Sequence, residues 1–336
     1  MNSMNNGNLT LSSGSMLPDD LVVRSVERRL DWFLSEDAHR GFPMSLLQAA
    51  RHLVLAPGAK RVRPLLTARF AALADLSPSA TIDVACSVEL IHSASLLHDD
   101  VVDAGDERRG RPTSNSRWGN EVAVLSGDYL LSQGILMLGP YGAEPVHRAI
   151  EVVAEMSRAT VAEVSARGRL DLGLEGWREM AVGKTGALFG FCGSAVALIA
   201  GDRGLAKSFD EVGRAIGVAF QLADDLEDLV DRGASGCADI RDANPSFPVL
   251  WAALRDDGLH EELARLWRGR SVSPVEAHRL ADRILGSAAV DATLAEIRQR
   301  VDVIESVLAT QRRPDVTDTV VAWAHGLAQR PTGKAA

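Results

Sequence analysis

Apolar residues recur along this chain at intervals of three and four, and almost nowhere alternate at intervals of two. That is the period of amphipathic helices. Pro18-Asp19-Asp20 opens the first periodic segment, which runs to about Leu34. A second spans Leu46 to Leu55 and is broken by Ala56-Pro57-Gly58. Pro64, placed early where its missing N–H costs nothing, starts a third to about Leu76. Ser77 to Ala80 reads as a turn, and Thr81 to Asp103 as a long helix. After a polar loop from Gly105 to Asn115, helices are predicted at Glu121–Met137, Pro145–Ala166, Trp177–Ala200 and Phe209–Val230. A loop rich in Gly, Pro and Asp, Arg232 to Pro248, leads to three or four further helices ending near Gln329. No linker divides this run and no short repeat recurs. The expectation is one all-α domain over 18–330, between a disordered tail at 1–17 and a flexible end at 331–336.

Composition agrees and narrows the function. Of 336 residues 46% are hydrophobic and only 5% aromatic, with the helix formers Ala and Leu dominant. The net charge of −9 argues against a nucleic-acid binder, which needs a basic face. Cys86, Cys192 and Cys237 are widely spaced, with neither metal-ligand spacing nor a disulfide framework, which fits a reducing cytoplasm. The start, rich in Asn, Ser and Gly, lacks a signal peptide's basic and apolar parts. The most apolar stretch, Ala187 to Ala200, is too short to cross a bilayer, so no transmembrane segment is expected.

Two acidic clusters stand out, Asp99-Asp100-Val-Val-Asp103 and Asp224-Asp225-Leu-Glu-Asp228. Each puts carboxylates on one helical face, one turn apart. Aspartates at the C-terminal end of a helix oppose its macrodipole, so a cation there would relieve them. Mg²⁺ suits such sites, because it takes a few carboxylate oxygens, waters and substrate phosphates. A solvated acidic helix end is the plainer alternative, weakened at the first cluster by flanking Leu96, Leu97, Val101 and Val102.

Basic residues lie near. Arg108-Arg109-Gly110 follows the first cluster within one short loop, either as salt bridges or as forks for phosphate oxygens. Gly58-Ala-Lys60-Arg61-Val-Arg63-Pro64 leads into a helix, where an anion can bind or the turn can simply be solvated. Gly183-Lys184-Thr185-Gly186 looks like the tail of a P-loop, but Arg178 stands where that motif needs glycine. Lys184, flanked by apolar residues, needs an anionic partner, and a diphosphate would serve.

Together these segments resemble the trans-isoprenyl diphosphate synthases, the polyprenyl synthetase family. The likeness runs from Pro57 to Leu250. It rests on the Lys60/Arg63 segment, His-x-x-x-Leu-x-His-Asp-Asp-x-x-Asp ending at Asp103, Arg108-Arg109-Gly110, Gly127-Asp128, Lys184-Thr185, and Phe220-Gln221-x-x-Asp-Asp-x-x-Asp ending at Asp228. The resemblance implies an all-α isoprenoid-synthase-type bundle around a central cavity, and a homodimer. It implies Mg²⁺ on Asp99, Asp103 and Asp224, supported by Asp100, Asp225 and Asp228. Isopentenyl diphosphate is assigned to Lys60, Arg63, His92 and Arg109, and the allylic diphosphate to the metals, Arg108 and Lys184. Thr185 and Gln221 are placed near the developing carbocation. The implied reaction ionises the allylic diphosphate, lets the isopentenyl double bond attack, and loses a proton to the departing diphosphate. Small Ala94 and Ser95, five and four residues upstream of Asp99, imply an open tunnel and a product of C20 or longer.

The pattern departs in one region. Lysines usual in the family after the second cluster are missing, with Ala234 and Asn244 in their places, and Arg232 and Arg241 are nearby candidates to compensate. The segment Gly168-Arg169-Leu170-Asp171-Leu172 is also unusual and lies closer to Lys184. Two other readings follow: a relative performing cyclisation or irregular prenyl coupling, and a noncatalytic partner subunit of a prenyl synthase.

Overall fold

In the computed structural model, residues 16–35, 43–108, 110–233, 236–269, 272–311 and 313–330 are described. Of the tail expected at 1–17, residues 1–15 lie outside the described residues, as do 331–336, Arg109 and Ala234, whereas Leu17 is described and is buried in the core. Contacts cluster into two units, one of residues 1–151 and 191–209, the other of residues 152–190 and 210–336.

The first unit starts with α1 (Asp19–Phe33), α2 (Met44–Val54), α3 (Val62–Leu73) and α4 (Pro78–Val102). On α1, Val22, Val26 and Leu30 recur at four-residue spacing and are fully buried, while Asp19 and Asp20 oppose the positive end of the helix dipole. Helix α4 begins earlier than the sequence suggested. Ser77 caps it, accepting from the Ala80 amide, and Pro78 takes the first turn. The polar loop after α4 holds a small hairpin, β1 (Glu107–Arg108) antiparallel to β2 (Arg111–Pro112). Then come α5 (Ser114–Trp118), capped by Thr113, and α6 (Asn120–Leu136).

Helices α4 and α6 pack closely because two glycines permit it. A Cβ at Gly127 would lie 2.3 Å from His98 Nε2, and one at Gly134 would lie 3.0 Å from the Ser87 carbonyl oxygen. The Ser87 hydroxyl donates to the Gly134 carbonyl at 2.7 Å across this contact. Leu90, Ala94 and Leu97 of α4 join Leu130 of α6 and Val22, Val26 and Leu30 of α1 in one apolar core.

Helix α7 (Ala143–Ala166) carries the chain into the second unit. The predicted Trp177–Ala200 helix starts earlier, as α8 (Gly173–Ala181), passes through a π-helical turn at Val182–Gly186, and continues as α9 (Ala187–Ile199). The apolar stretch Ala187–Ala200 is thus the second half of a longer helical run, Gly173–Ile199, of 27 residues. By length and composition it could cross a membrane, as could Pro78–Val102 and Asn120–Tyr141. The first two are mostly buried inside the protein, as core helices are, whereas only 33% of the Asn120–Tyr141 window is. Helix α10 (Arg203–Val230) begins six residues before its predicted start.

The predicted loop after α10 contains α11 (Ala238–Arg241), and five rather than three or four helices follow: α12 (Phe247–Ala253), α13 (Asp257–Arg268), α14 (Pro274–Leu285), α15 (Ala289–Leu308) and α16 (Pro314–Leu327). The uncounted one is α12, seven residues opened by Pro248 in its first turn and too short to show a period. A Ser273/Glu276 capping box fixes the start of α14. Arg178 of α8 forks onto buried Glu296 of α15 at 2.8 and 3.0 Å.

Candidate active site

The first acidic cluster closes α4 in the first unit. His92, Ser95 and Asp99 follow at spacings of three and four, so they share a face. Asp99 is half-buried, Asp103 exposed and Asp100 buried. Arg108 in β1 folds back and donates to Asp100 Oδ1 from Nε at 2.8 Å, with Nη2 at 2.7 Å. The other oxygen, Oδ2, is buried without a hydrogen-bond partner. A buried acceptor left this way is costly, and a hard cation or a water would satisfy it. Arg108, assigned to a diphosphate from the sequence, is thus engaged by the cluster itself.

Beside it the chain builds a cationic corner. Arg63 donates to His92 Nε2 at 3.1 Å. Arginine can only donate, so His92 Nε2 is the acceptor in this contact. Lys60 is exposed in the loop before α3. Arg61, from the same basic segment, instead turns inward. It is buried with a left-handed backbone, donates to Glu89 and to the Val54 carbonyl, and so anchors the loop. His52 accepts from Arg111 at Nδ1 and donates to the Pro112 carbonyl from Nε2, tying the hairpin to α2. Ala94 is only 2% exposed and belongs to the apolar core, whereas Ser95 stands one turn from Asp99, half-buried, with its hydroxyl on the His92 carbonyl.

In the second unit a small, partly open pocket is lined by Lys184, Thr185, Gln221, Asp225, Asn244 and Ser246, with Trp177, Met180 and Ala181 as an apolar wall. The π-helical turn supplies Lys184 and Thr185 to it. A relay runs along one side. Thr185 donates to Gln221 Oε1 at 2.9 Å, Gln221 Nε2 donates to Asp225 Oδ1 at 2.9 Å, and the Phe247 amide donates to Asp225 Oδ2 at 3.0 Å. Asp228 accepts from the amides of Ala238 and Asp239 and so shapes the start of α11. Asp225 and Asp228 therefore brace the loop before α12, and Asp224 is left half-buried at the surface of the cluster.

Burial pushes the Asp225 carboxyl up to about 7, against the hydrogen bonds that favour its charged form and with Asp224 and Asp228 adding to the rise. Burial, followed by Asp225 and Asp228, pushes Asp239 well above the usual range. Asn244 donates to Asp239 at 2.9 Å, a neutral donor where the family pattern has a cation. Arg232 does not fill that gap, because it pairs with Asp282. Burial pushes the Asp228 carboxyl above its usual range, against the amides of Asp239 and Ala238 and, less strongly, Arg241.

Sequence reasoning missed two partners. Glu163 of α7 pairs with Lys184, so the partner predicted for that lysine exists within the protein. Arg330 reaches Asp224 and Glu227 from beyond α16. Separations of 21 and 106 residues carry no local signal.

Among the described residues no three carboxylates, histidines or thiols form a ready-made metal cage. The donors are nevertheless all carboxylate oxygens, which are hard ligands, and Asp100 Oδ2 lacks a hydrogen-bond donor. This set fits Mg²⁺, which is held by one or two carboxylates plus substrate phosphates.

A profile of polyprenyl synthetases matches residues 44–280. The chain is 31% identical over 281 residues to nonaprenyl diphosphate synthase of Mycobacterium tuberculosis, a match covering 82% of this chain and 78% of the relative. It is 35% identical to the (2E,6E)-farnesyl diphosphate synthase of Mycobacterium bovis, over 61% of this chain and 60% of that relative. The crystal structure of a polyprenyl synthase from Caulobacter crescentus, in complex with calcium and isoprenyl diphosphate, superposes with a TM-score of 0.82 at 28% identity, covering 97% of this chain and 100% of that one. The all-α fold is thus that of the isoprenyl diphosphate synthases, and the chain belongs to the polyprenyl synthetase family of prenyl-transferring enzymes.

Proposed function

We propose that this protein condenses isopentenyl diphosphate with an allylic diphosphate to make a trans-polyprenyl diphosphate of C20 or longer. The observation that carries the reading is that each acidic cluster sets a buried, hydrogen-bonded aspartate, Asp100 or Asp225, beside less buried ones, Asp99 and Asp103 in one cluster and Asp224 in the other. Asp100, Asp225 and Asp228 are held by protein donors, and this fixes the backbone that presents Asp99, Asp103 and Asp224. These three would hold Mg²⁺, which when bound supplies positive charge against the diphosphate leaving group.

Lys184 lies on the same pocket wall as Thr185 and Gln221 and contributes charge toward the allylic diphosphate. The Thr185 and Gln221 oxygens, neutral and oriented by their mutual hydrogen bond, face the carbon that becomes positive. Lys60, Arg63, Arg109 and His92 bind the isopentenyl diphosphate. The proton lost after coupling goes to the departing diphosphate, so the protein needs no dedicated base. A serine one turn from Asp99 leaves room for a growing chain, and the nonaprenyl relative, matched over more of its length than the farnesyl one, supports a long product.

The outer face of α6 carries exposed Val124, Leu125 and Leu136, which supports pairing with a second copy in a cytoplasmic homodimer. The test supplies Mg²⁺, isopentenyl diphosphate and C5, C10, C15 or C20 primers to purified protein and sizes the products by mass spectrometry. Linear diphosphates of C20 or longer are expected. Hydrocarbon products favour cyclisation or irregular coupling. No turnover by folded protein with any primer favours a noncatalytic subunit.

A further inference from the structure

The second acidic cluster already holds a cation that belongs to the chain. Arg330, beyond the end of α16, donates from Nε and Nη2 to the two oxygens of Glu227 at 2.9 and 2.8 Å. The same Nη2 reaches Asp224 Oδ1 at 2.8 Å. The guanidinium lies 4.7 Å from the centre of the Phe220 ring, so three residues of α10 hold it: an aromatic face and two carboxylates. Its side chain is 24% exposed, against 40% and 42% for its two acidic partners.

We infer that Arg330 is a resident counter-cation of the second cluster, which a divalent cation must displace from Asp224 before it binds there. The inference rests on the proposed role of Asp224 as a metal ligand. Asp224 Oδ1 cannot serve a guanidinium and a metal equally, and two cations sharing one carboxylate repel each other. Seating of Arg330 and loading of metal are therefore reciprocally linked: each weakens the other by the same factor. Glu227 supplies the fork that holds Arg330 while the metal site is empty. Without Arg330, Asp224 would lose this guanidinium beside its acidic neighbours Asp225, Glu227 and Asp228. The site would then take metal without waiting for substrate. Arg330 thus reserves the cluster for a cation that arrives with a diphosphate, whose phosphate oxygens add ligands the protein lacks.

The test measures Mn²⁺ binding to substrate-free protein by electron paramagnetic resonance. Arg330→Ala is expected to bind Mn²⁺ at the second cluster roughly two- to fivefold more tightly than the parent, the scale of a partly exposed ion pair lost. Arg330→Lys, which keeps the charge but not the fork, should fall between them. In the parent protein, Mn²⁺ should also speed amide exchange at the end of α16, a readout that needs no variant. Unchanged or weaker binding in Arg330→Ala, or exchange unaffected by Mn²⁺, overturns the inference. Asp224→Ala separates it from the underlying reading. If that variant keeps every Mn²⁺ site of the parent, Asp224 is not a ligand and both fall. If it loses a site while Arg330→Ala binds no tighter, the counter-cation role alone falls.

Discussion

Lys184→Ala offers a quantitative test of the pocket in the second unit. The ammonium sits in a π-helical turn, beside Thr185 and facing the lining residues Gln221, Asn244 and Ser246, and pairs with Glu163. Charge-assisted hydrogen bonds are worth about 1.5–3 kcal/mol, or roughly 12- to 160-fold in affinity. The side chain is 31% exposed, so solvent screening places the loss near the lower end, about 10- to 50-fold. Steady-state kinetics, varying each substrate with the other saturating, should show the KM of the allylic diphosphate rising by that factor. The KM of isopentenyl diphosphate should stay within about twofold. Glu163→Gln releases Lys184 from its internal partner and should lower the allylic KM, an effect abolished when both changes are combined. A thermal melt checks that the ion pair is not needed for folding. Equal rises in both KM values, or none in a folded variant, would refute the assignment of Lys184 to the allylic diphosphate.

Ser95→Phe should shorten the product because Ser95 shares the face of Asp99, whereas Ala94→Phe should overpack the core and cost about 1–3 kcal/mol. Product sizing and thermal melts of both variants check this, and a shorter product from Ala94→Phe alone would contradict it. Asp225 holds its proton more tightly folded than unfolded, so its contribution is full below about pH 4 and is lost as pH rises through about 7. Urea unfolding between pH 5 and 8 should show stability falling with pH, by an amount on the order of 3 kcal/mol across that range. Asp225→Asn should flatten that slope, and an unchanged slope would assign the effect elsewhere. Gly127→Ala drives a methyl group into the His98 ring and should lower the melting temperature, while Gly139→Ala, with open space around it, should not.

The long helices were legible because burial of one face imposes a period, as with Val22, Val26 and Leu30 on α1. Elements below two turns were not, since α5, α11 and α12 are fixed by caps and contacts from distant parts of the chain. The acidic clusters were legible because their spacing is local. Their internal division was not: Asp225 is braced by an amide 22 residues later and Asp100 by a guanidinium on the following hairpin. The basic segment from Gly58 to Pro64 showed three candidate cations, but only tertiary contact reveals that Arg61 faces Glu89 and the core. Likewise Arg232 resembled a substitute for a missing lysine until α14 placed Asp282 against it.

The central claim is that Asp99 and Asp224, one from each acidic cluster, serve one condensation reaction. Incorporation of labelled isopentenyl diphosphate should be measured for the parent, Asp99→Ala and Asp224→Ala, each shown to be folded, with Mg²⁺ and with Mg²⁺ removed by chelation. The account predicts a linear product from the parent with Mg²⁺ and losses of at least about a hundredfold in the other cases. Near-parent incorporation by either aspartate variant, or by the chelated parent, would contradict it.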